Sequence, residues 1–490
     1  MPPFSLTGSG LAEKLVTEHG EQFMAPAADS AFGCDDFQQA ARLNRRTLLE
    51  IGSLYGLGLA LPELFQAQAQ AKSADKGTFG RAKSVIVLYL HGGHAQQETW
   101  DPKPDGPSPA RGEFGAIATS VPGVRFSELL PLSGKIANKL AIIRSLSHPN
   151  ANHVQASLPA MTGHAHLPRE ESRGDFPPSP TDFPPFGAVL DLLRPAGQLP
   201  TWVQVGPLMR RNNGTVLHGQ SPGFLGSKHS PLVVDQDMLQ SNVRIEAVAP
   251  NASVPLLRLA GRRHVLEQID TQQRTWDQAA DVQNFDAFQQ RALNLLTAPK
   301  LAKAFNLAAE SASARDQYGR TQFGQCCLLA RRLAEAGVPM INVHFCRTPV
   351  GSWDTHGRHF SQMKKLLCPT FDRAFSALVA DLDQRGLLDQ TLVLATAEFG
   401  RTPKVNRGGG RDHWPWVYSI ALTGGGAARG VVYGSSDKSA AYPTSHPHDP
   451  KDLAATVYHL LGVPNNTIVY DQTHRPHNLV IGDKIDGLLA

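Results

Sequence analysis

Carboxylates and imidazoles fall in this chain in short clusters of the kind that hold divalent metal ions. Asp354 and His356 are separated by one residue. On a loop or an extended segment that spacing turns both side chains the same way, as a shared ion requires. Glu398 is followed by Phe399-Gly400-Arg401, and Arg411-Asp412-His413 arrives after the turn Gly408-Gly409-Gly410. His413 reads as a ligand, with Asp412 as a second ligand or as the group that orients a bound imidazole. His91 precedes Gly92-Gly93, whose bare backbone lets an anion approach N–H groups closely. The ligand set is therefore His91, Asp354, His356, Glu398 and His413, for one or two ions of Zn, Ca, Mg or Mn.

Around that set stand further groups able to move protons or touch substrate. His94 and Asp412 suit general acid–base work. Arg401, three residues after Glu398, offers a salt bridge that closes a strand end or a cation in the catalytic set. Asp101 is near His94 in sequence. His148 and His153 flank Pro149-Asn150-Ala151-Asn152, just before a helix start, where an anion contact and a capping role for Asn152 compete. His448, beside Asp449 and Asp452, is a substrate contact or part of a solvated loop.

These clusters need elements that bring them together. Residues 84–90 (SVIVLYL), 339–345 (PMINVHF) and 391–397 (TLVLATA) lack clean alternation and read as buried parallel strands. Each runs into one of the clusters, and ligands in open α/β sheets gather beyond the carboxyl ends of strands. Further strands are expected at 139–144 and 201–205. Helices are expected from 153, over 284–309, 318–336, 360–385 and 450–461. The alternation of helix and buried strand predicts an α/β fold, a three-layer sandwich with a mostly parallel central sheet. Residues 170–185, dense in Pro, Ser and Asp, predict a long surface loop or lid.

Bulk properties exclude several classes. With 490 residues, 41% hydrophobic and 18% charged, the chain is an ordinary globular protein. A formal charge of +4, without a basic stripe, gives no support to nucleic-acid binding. Five cysteines without a C-x-x-C pair argue against thiolate zinc sites and disulfide frameworks. There is no Walker loop or G-x-G-x-x-G. Arg45-Arg46, the apolar stretch 51–65 and Ala67-Gln68-Ala69 read as a twin-arginine export signal. The expected division is a leader over 1–71 that engages the twin-arginine export machinery and a mature domain over 72–490, periplasmic or secreted.

Several motifs in register carry a resemblance over nearly the whole mature chain. They are His91-Gly92-Gly93 running on to Glu98-Thr99-Trp100-Asp101-Pro102, Gly223-Phe224-Leu225-Gly226, Tyr318-Gly319-Arg320 and Trp353-Asp354-Thr355-His356. Glu398-Phe399-Gly400-Arg401-Thr402-Pro403, Arg411-Asp412-His413-Trp414-Pro415 and Asp452-Leu453-Ala454-Ala455-Thr456 complete them. Together they resemble domain-of-unknown-function family 1501, which is similar to the alkaline phosphatase and sulfatase superfamily. The resemblance implies an alkaline phosphatase-like fold and metal-dependent cleavage of sulfate or phosphate esters, small or polysaccharide. It implies Asp354 and His356 as ligands of one metal, Glu398 as the carboxylate after a later strand and His413 as the last imidazole. His91 stands where the superfamily has an aspartate. Relatives show a serine after the glycine pair, where this chain has His94-Ala95. Ala95 cannot attack, which leaves Thr99, a metal-bound hydroxide, or a binding or scaffold protein that has lost catalysis.

Overall fold

A computed structural model of the protein describes residues 77–166, 174–194, 197, 199–240, 298–346 and 353–490. The leader with Arg45-Arg46, the start of the 170–185 loop and most of the helix expected over 284–309 lie outside the described residues.

An eight-stranded sheet forms the centre. Its strands are β1 (Ser84–Tyr89), β2 (Ala141–Leu146), β3 (Trp202–Val205), β4 (Leu232–Val234), β5 (Met340–His344), β6 (Thr391–Thr396), β7 (Tyr418–Thr423) and β8 (Val431–Tyr433). In space they run β8-β2-β7-β6-β1-β5-β3-β4. β1 is parallel to both neighbours, pairing Tyr89 with His344 and with Thr396. Only β7 runs against its neighbours, β2 and β6. The sheet is thus mostly parallel, as the buried strands predict.

Among the described residues, five helices of eight or more residues lie in the outer layers: α1 (His153–Thr162), α2 (Phe186–Leu193), α3 (Gln322–Ala336), α4 (Cys368–Gln384) and α5 (Pro450–Leu460). Ile86 and Leu88 of β1 share one core with α3 and α4. Val85, Val87 and Tyr89 share the other with α1, α2 and α5. Both faces of β1 are therefore covered, which is why its sequence is apolar throughout.

Local chemistry explains where expected elements shift. The helix expected over 318–336 breaks at Gly319, whose φ is +87°, and restarts where the Thr321 hydroxyl accepts Gly324 N–H. The one expected over 360–385 begins at His359 and opens into a π turn at Met363–Leu367. Pro369, at the start of α4, has no N–H to give to the preceding turn. Strands β4, β7 and β8 go unread in the sequence: two are three residues long, and β7 sits between a proline-rich turn and a glycine turn.

Candidate metal centre

Two strand ends and one helix start bring candidate ligands together. β1 leads to His91 and β6 to Glu398, while α1 starts with His153 directly behind its cap. Asn152 is that cap, accepting Val154 N–H at 2.7 Å, so the capping reading of Asn152 holds and His153 occupies the first helical turn. The Asp354 loop is pressed against the β1 end. A Cβ on Gly92 would lie 2.3 Å from Asp354 N, so only glycine fits there. The Gly92 N–H is not left for an anion; it donates to Glu398 Oε1 at 2.8 Å. Gly410 plays the same part for the other loop, since a Cβ there would meet His356 at 2.0 Å.

Three acceptor atoms converge at the mouth. His356 Nε2 is 2.9 Å from His413 Nε2 and 3.0 Å from Asp354 Oδ1. His413 Nε2 is 3.1 Å from the same carboxylate oxygen. The opposite nitrogens are already committed: His356 Nδ1 faces Asp412 Oδ1 at 2.7 Å and His413 Nδ1 faces the Ala151 carbonyl at 2.6 Å. Each must donate there, so in the neutral tautomers two lone pairs and a carboxylate oxygen point at one another. Either a proton or a cation has to sit among them. Ligands around a tetrahedral ion at roughly 2.0–2.1 Å lie about 3.3 Å apart, close to this triangle. The donor set fits a divalent metal, and each imidazole is held by an outer oxygen in the manner of metal-bound histidines.

A second group lies deeper. Single atoms of His91, His153 and Glu398 fall within 4.8 Å of one another, and all three residues are buried. His153 Nδ1 donates to Glu398 Oε1 at 2.6 Å, and its Nε2 lies 3.3 Å from Asp354 Oδ2, so this ring joins the two groups. His91 Nδ1 and Glu398 Oε2 are buried without a hydrogen-bond partner, an arrangement that a bound cation would relieve.

The charges follow from these contacts. Burial opposes ionisation of Glu398, but the His153 hydrogen bond and charge outweigh it and bring the carboxyl to about 2. Burial also opposes Asp354, which His153, His356 and His413 hold far below the usual carboxylate range. Burial pushes His91 down to about 4, so it is a neutral ring with a lone pair. His356 is raised, first by its bond to Asp354.

Arg401 pairs with Asp354 at 2.6 Å, and its Nε donates to Gly93 O at 2.9 Å; Glu398 itself is tied to Gly92 N–H and His153. The salt bridge expected from the sequence thus has a different acid. Asp412 orients His356, not its chain neighbour His413. His148 stands behind the centre, its Nε2 donating to the Glu398 carbonyl at 2.6 Å.

Four residues singled out from the sequence have their polar groups engaged elsewhere. His94 is fully buried against Trp100 and Trp353, with Nε2 donating to Ser419 O at 2.7 Å. The Thr99 hydroxyl donates to Ala95 O at 2.8 Å. Asp101 pairs with Lys103 and Arg144 and accepts the Ser436 hydroxyl. His448 bonds Asp452 at 3.1 Å.

Sequence reasoning missed a buried support for both ligand loops. Glu98 accepts Arg411 Nη2 at 2.7 Å and His359 Nε2 at 3.1 Å. His359 in turn bonds Thr355 Oγ1 at 2.6 Å, and Arg411 N–H donates to Thr355 O. Thr355 lies between Asp354 and His356, and Arg411 lies two residues before His413. Arg211 was also missed; its charge is felt at His91, and it pairs with Asp175 at 3.2 Å.

A family model described as protein of unknown function, DUF1501, matches residues 82–489. Comparison with curated proteins returns no match. Among solved structures, a sulfatase, PsFucS1, from Pseudoalteromonas sp. aligns with 88% of this chain and 76% of its own, at 15% identity and a TM-score of 0.40. An alkaline phosphatase superfamily protein from Vibrio parahaemolyticus aligns with 84% and 72%, at 10% identity and a TM-score of 0.38. A phosphonate monoester hydrolase from Silicibacter pomeroyi aligns with 83% and 76%, at 11% identity and a TM-score of 0.32.

Proposed function

The chain belongs to the DUF1501 family, and from that premise we propose that it is a metal-dependent hydrolase of sulfate or phosphate esters, small or polysaccharide. One observation carries the reading: Asp354 Oδ1, His356 Nε2 and His413 Nε2 lie within 3.1 Å of one another while both Nδ1 atoms donate outward. A divalent cation bound there would stabilise the oxygens of the ester group and lower the pKa of a bound water toward neutrality. The chain's own part is to fix the site. Arg401 holds Asp354, Asp412 and the Ala151 carbonyl fix the two imidazoles, and His153 carries hydrogen bonding between the carboxylates. With the Thr99 hydroxyl spent on Ala95 O, water is the favoured attacking group.

Metal analysis of the purified protein, followed by aryl-sulfate and aryl-phosphate assays, tests the reading. Bound metal with chelator-sensitive turnover is expected. Bound metal without turnover on any ester would favour the binding or scaffold protein, and no metal would remove the reading altogether. Export completes the proposal: Arg45-Arg46 direct the chain through the twin-arginine route to the periplasm or medium, leaving 72–490 as the mature domain. An Arg45→Lys/Arg46→Lys variant retained in the cytoplasm is the expected result; normal export would sink that part.

A further inference from the structure

A separate cluster lies beside α1, where His166 meets the Val154 carbonyl. His166 follows that helix, Asp182 lies in the loop before α2, and His218 lies in the loop between β3 and β4. All three are buried, at 5%, 4% and 0% exposure. One ligand atom from each falls within 4.8 Å of the other two. The two rings sit nearly perpendicular, at 83°, with centroids 4.4 Å apart.

The hydrogen bonds around the cluster fix which nitrogens face inward. His218 Nε2 donates to Phe176 O at 3.1 Å, and His166 Nε2 donates to Val154 O at 3.3 Å. Both rings thus place their Nε2–H on a backbone carbonyl, the arrangement that sets tautomer and orientation in metal-bound histidines. It leaves the Nδ1 atoms as the coordinating nitrogens. His218 Nδ1 meets Asp182 Oδ2 at 2.5 Å, and that oxygen also accepts Ser179 N–H at 3.1 Å. Asp182 Oδ1 is buried with no hydrogen-bond partner. An imidazolium–carboxylate pair accounts for Oδ2 but leaves Oδ1 unexplained, and an orphaned buried carboxylate oxygen is costly.

We infer that His166, Asp182 and His218 form a structural zinc site, distinct from the proposed hydrolytic centre, which staples the loops at 174–185 and 206–231 to the end of α1. Two imidazole nitrogens and the Asp182 carboxylate supply three protein ligands, leaving a fourth position for water, and imidazole ligands suit zinc better than calcium or magnesium. The staple has a use. Asp175, in the first loop, pairs with Arg211 in the second and accepts Asn152, the cap of α1, at 3.1 Å. Fastening these loops also holds Asn152 in place, directly before His153.

Zinc counted on the purified full chain tests this without any need for turnover. The His218→Gln protein is expected to hold one zinc equivalent fewer than the wild type while keeping the metal bound by Asp354, His356 and His413. Equal zinc in the two proteins would overturn the inference. Should His218→Gln fail to fold, His218→Cys keeps a ligand at the position. Loaded with cobalt, it is expected to gain a thiolate-to-cobalt charge-transfer band in the near ultraviolet that the wild type lacks. A folded, cobalt-loaded His218→Cys protein without that band would equally overturn it. Because neither readout is hydrolysis, failure of the zinc site leaves the ester-hydrolase reading standing, and the reverse also holds.

Discussion

Two clusters of ionisable side chains share the same pair of loops and close their charges in opposite ways. Around Glu98 every group has its complement: Arg411 and His359 both donate to the carboxylate, and the Thr355 hydroxyl meets the other ring nitrogen of His359. Burial is complete there, with 1%, 0% and 0% exposure for Glu98, Arg411 and His359. Around Asp354, His356 and His413 the inward-facing atoms are all acceptors, and the rim is partly open to solvent. A balanced buried network holds a backbone in place. In the other, built by the same chain at the same sheet edge, Arg401 reaches Asp354 Oδ1 from one side, and the two inward imidazole nitrogens still need a proton or a cation between them. Spacing motifs alone do not separate the two, because both clusters contain a carboxylate, a histidine and an arginine.

The sharpest way to break this contrast is to delete an inward acceptor. His413→Ala is expected to lower bound metal and to reduce ester turnover to that of chelator-treated protein, with metal counting and a rate assay as the check. A His413→Ala protein with full metal and full turnover would mean that the convergence of lone pairs has no functional meaning. Deletion in the balanced cluster should act on stability instead. Glu98→Ala leaves Arg411 buried without its partner, and breaking a buried ion pair from one side costs about 3–5 kcal/mol, read from denaturant unfolding. Burial opposes the Glu98 charge, yet Arg411 and His359 outweigh it and hold the carboxyl below its usual value. The stabilisation is therefore fully present above the ordinary glutamate range and is lost as pH falls through the lowered folded value. Glu98→Gln should flatten that acid dependence.

Between these extremes lies Asp412, half exposed and bonded to His356 Nδ1. Asp412→Asn should weaken metal binding about 10–100-fold, the range for groups that orient a ligand from outside. Stability should move by less than about 0.5 kcal/mol, as for an exposed side chain. An unchanged metal affinity would place Asp412 among solvated surface groups and weaken the case for His356 as a ligand.

Legibility in the sequence follows the same division. The strands that deliver His91 and Glu398 are buried on both faces, so their composition betrays them, and the ligands sit directly after them. The spacing of Asp354 and His356 is local and is legible without the fold. Glu98 and Arg411 are 313 residues apart, and nothing in either neighbourhood announces the other. His153 looked like a helix-end residue; only the fold shows it lying between Glu398 and Asp354. Thr99, by contrast, stands out in the sequence only because Ala95 lacks a hydroxyl, and the fold holds its side chain on the Ala95 carbonyl.

Thr99→Ala is the smallest perturbation and decides between two sources of attack. Its hydroxyl is fully buried and donates to the carbonyl of Ala95 at 2.8 Å, four residues back. Loss of one such hydrogen bond costs about 1 kcal/mol. Turnover should be unchanged, because nothing in that bond reaches Asp354, His356 or His413. If the variant instead binds metal normally and loses turnover, Thr99 is the nucleophile, and its bond to Ala95 O must open during the reaction. Ala95→Ser separates the cases further. Ala95 is 1% exposed, so an added hydroxyl there has to find a buried partner, and the expected result is a small loss of stability without gain of turnover. A gain of turnover, or a trapped phosphoryl adduct on the new serine, would show that the first strand's end still reaches the ester and that this chain has lost a nucleophile its relatives keep.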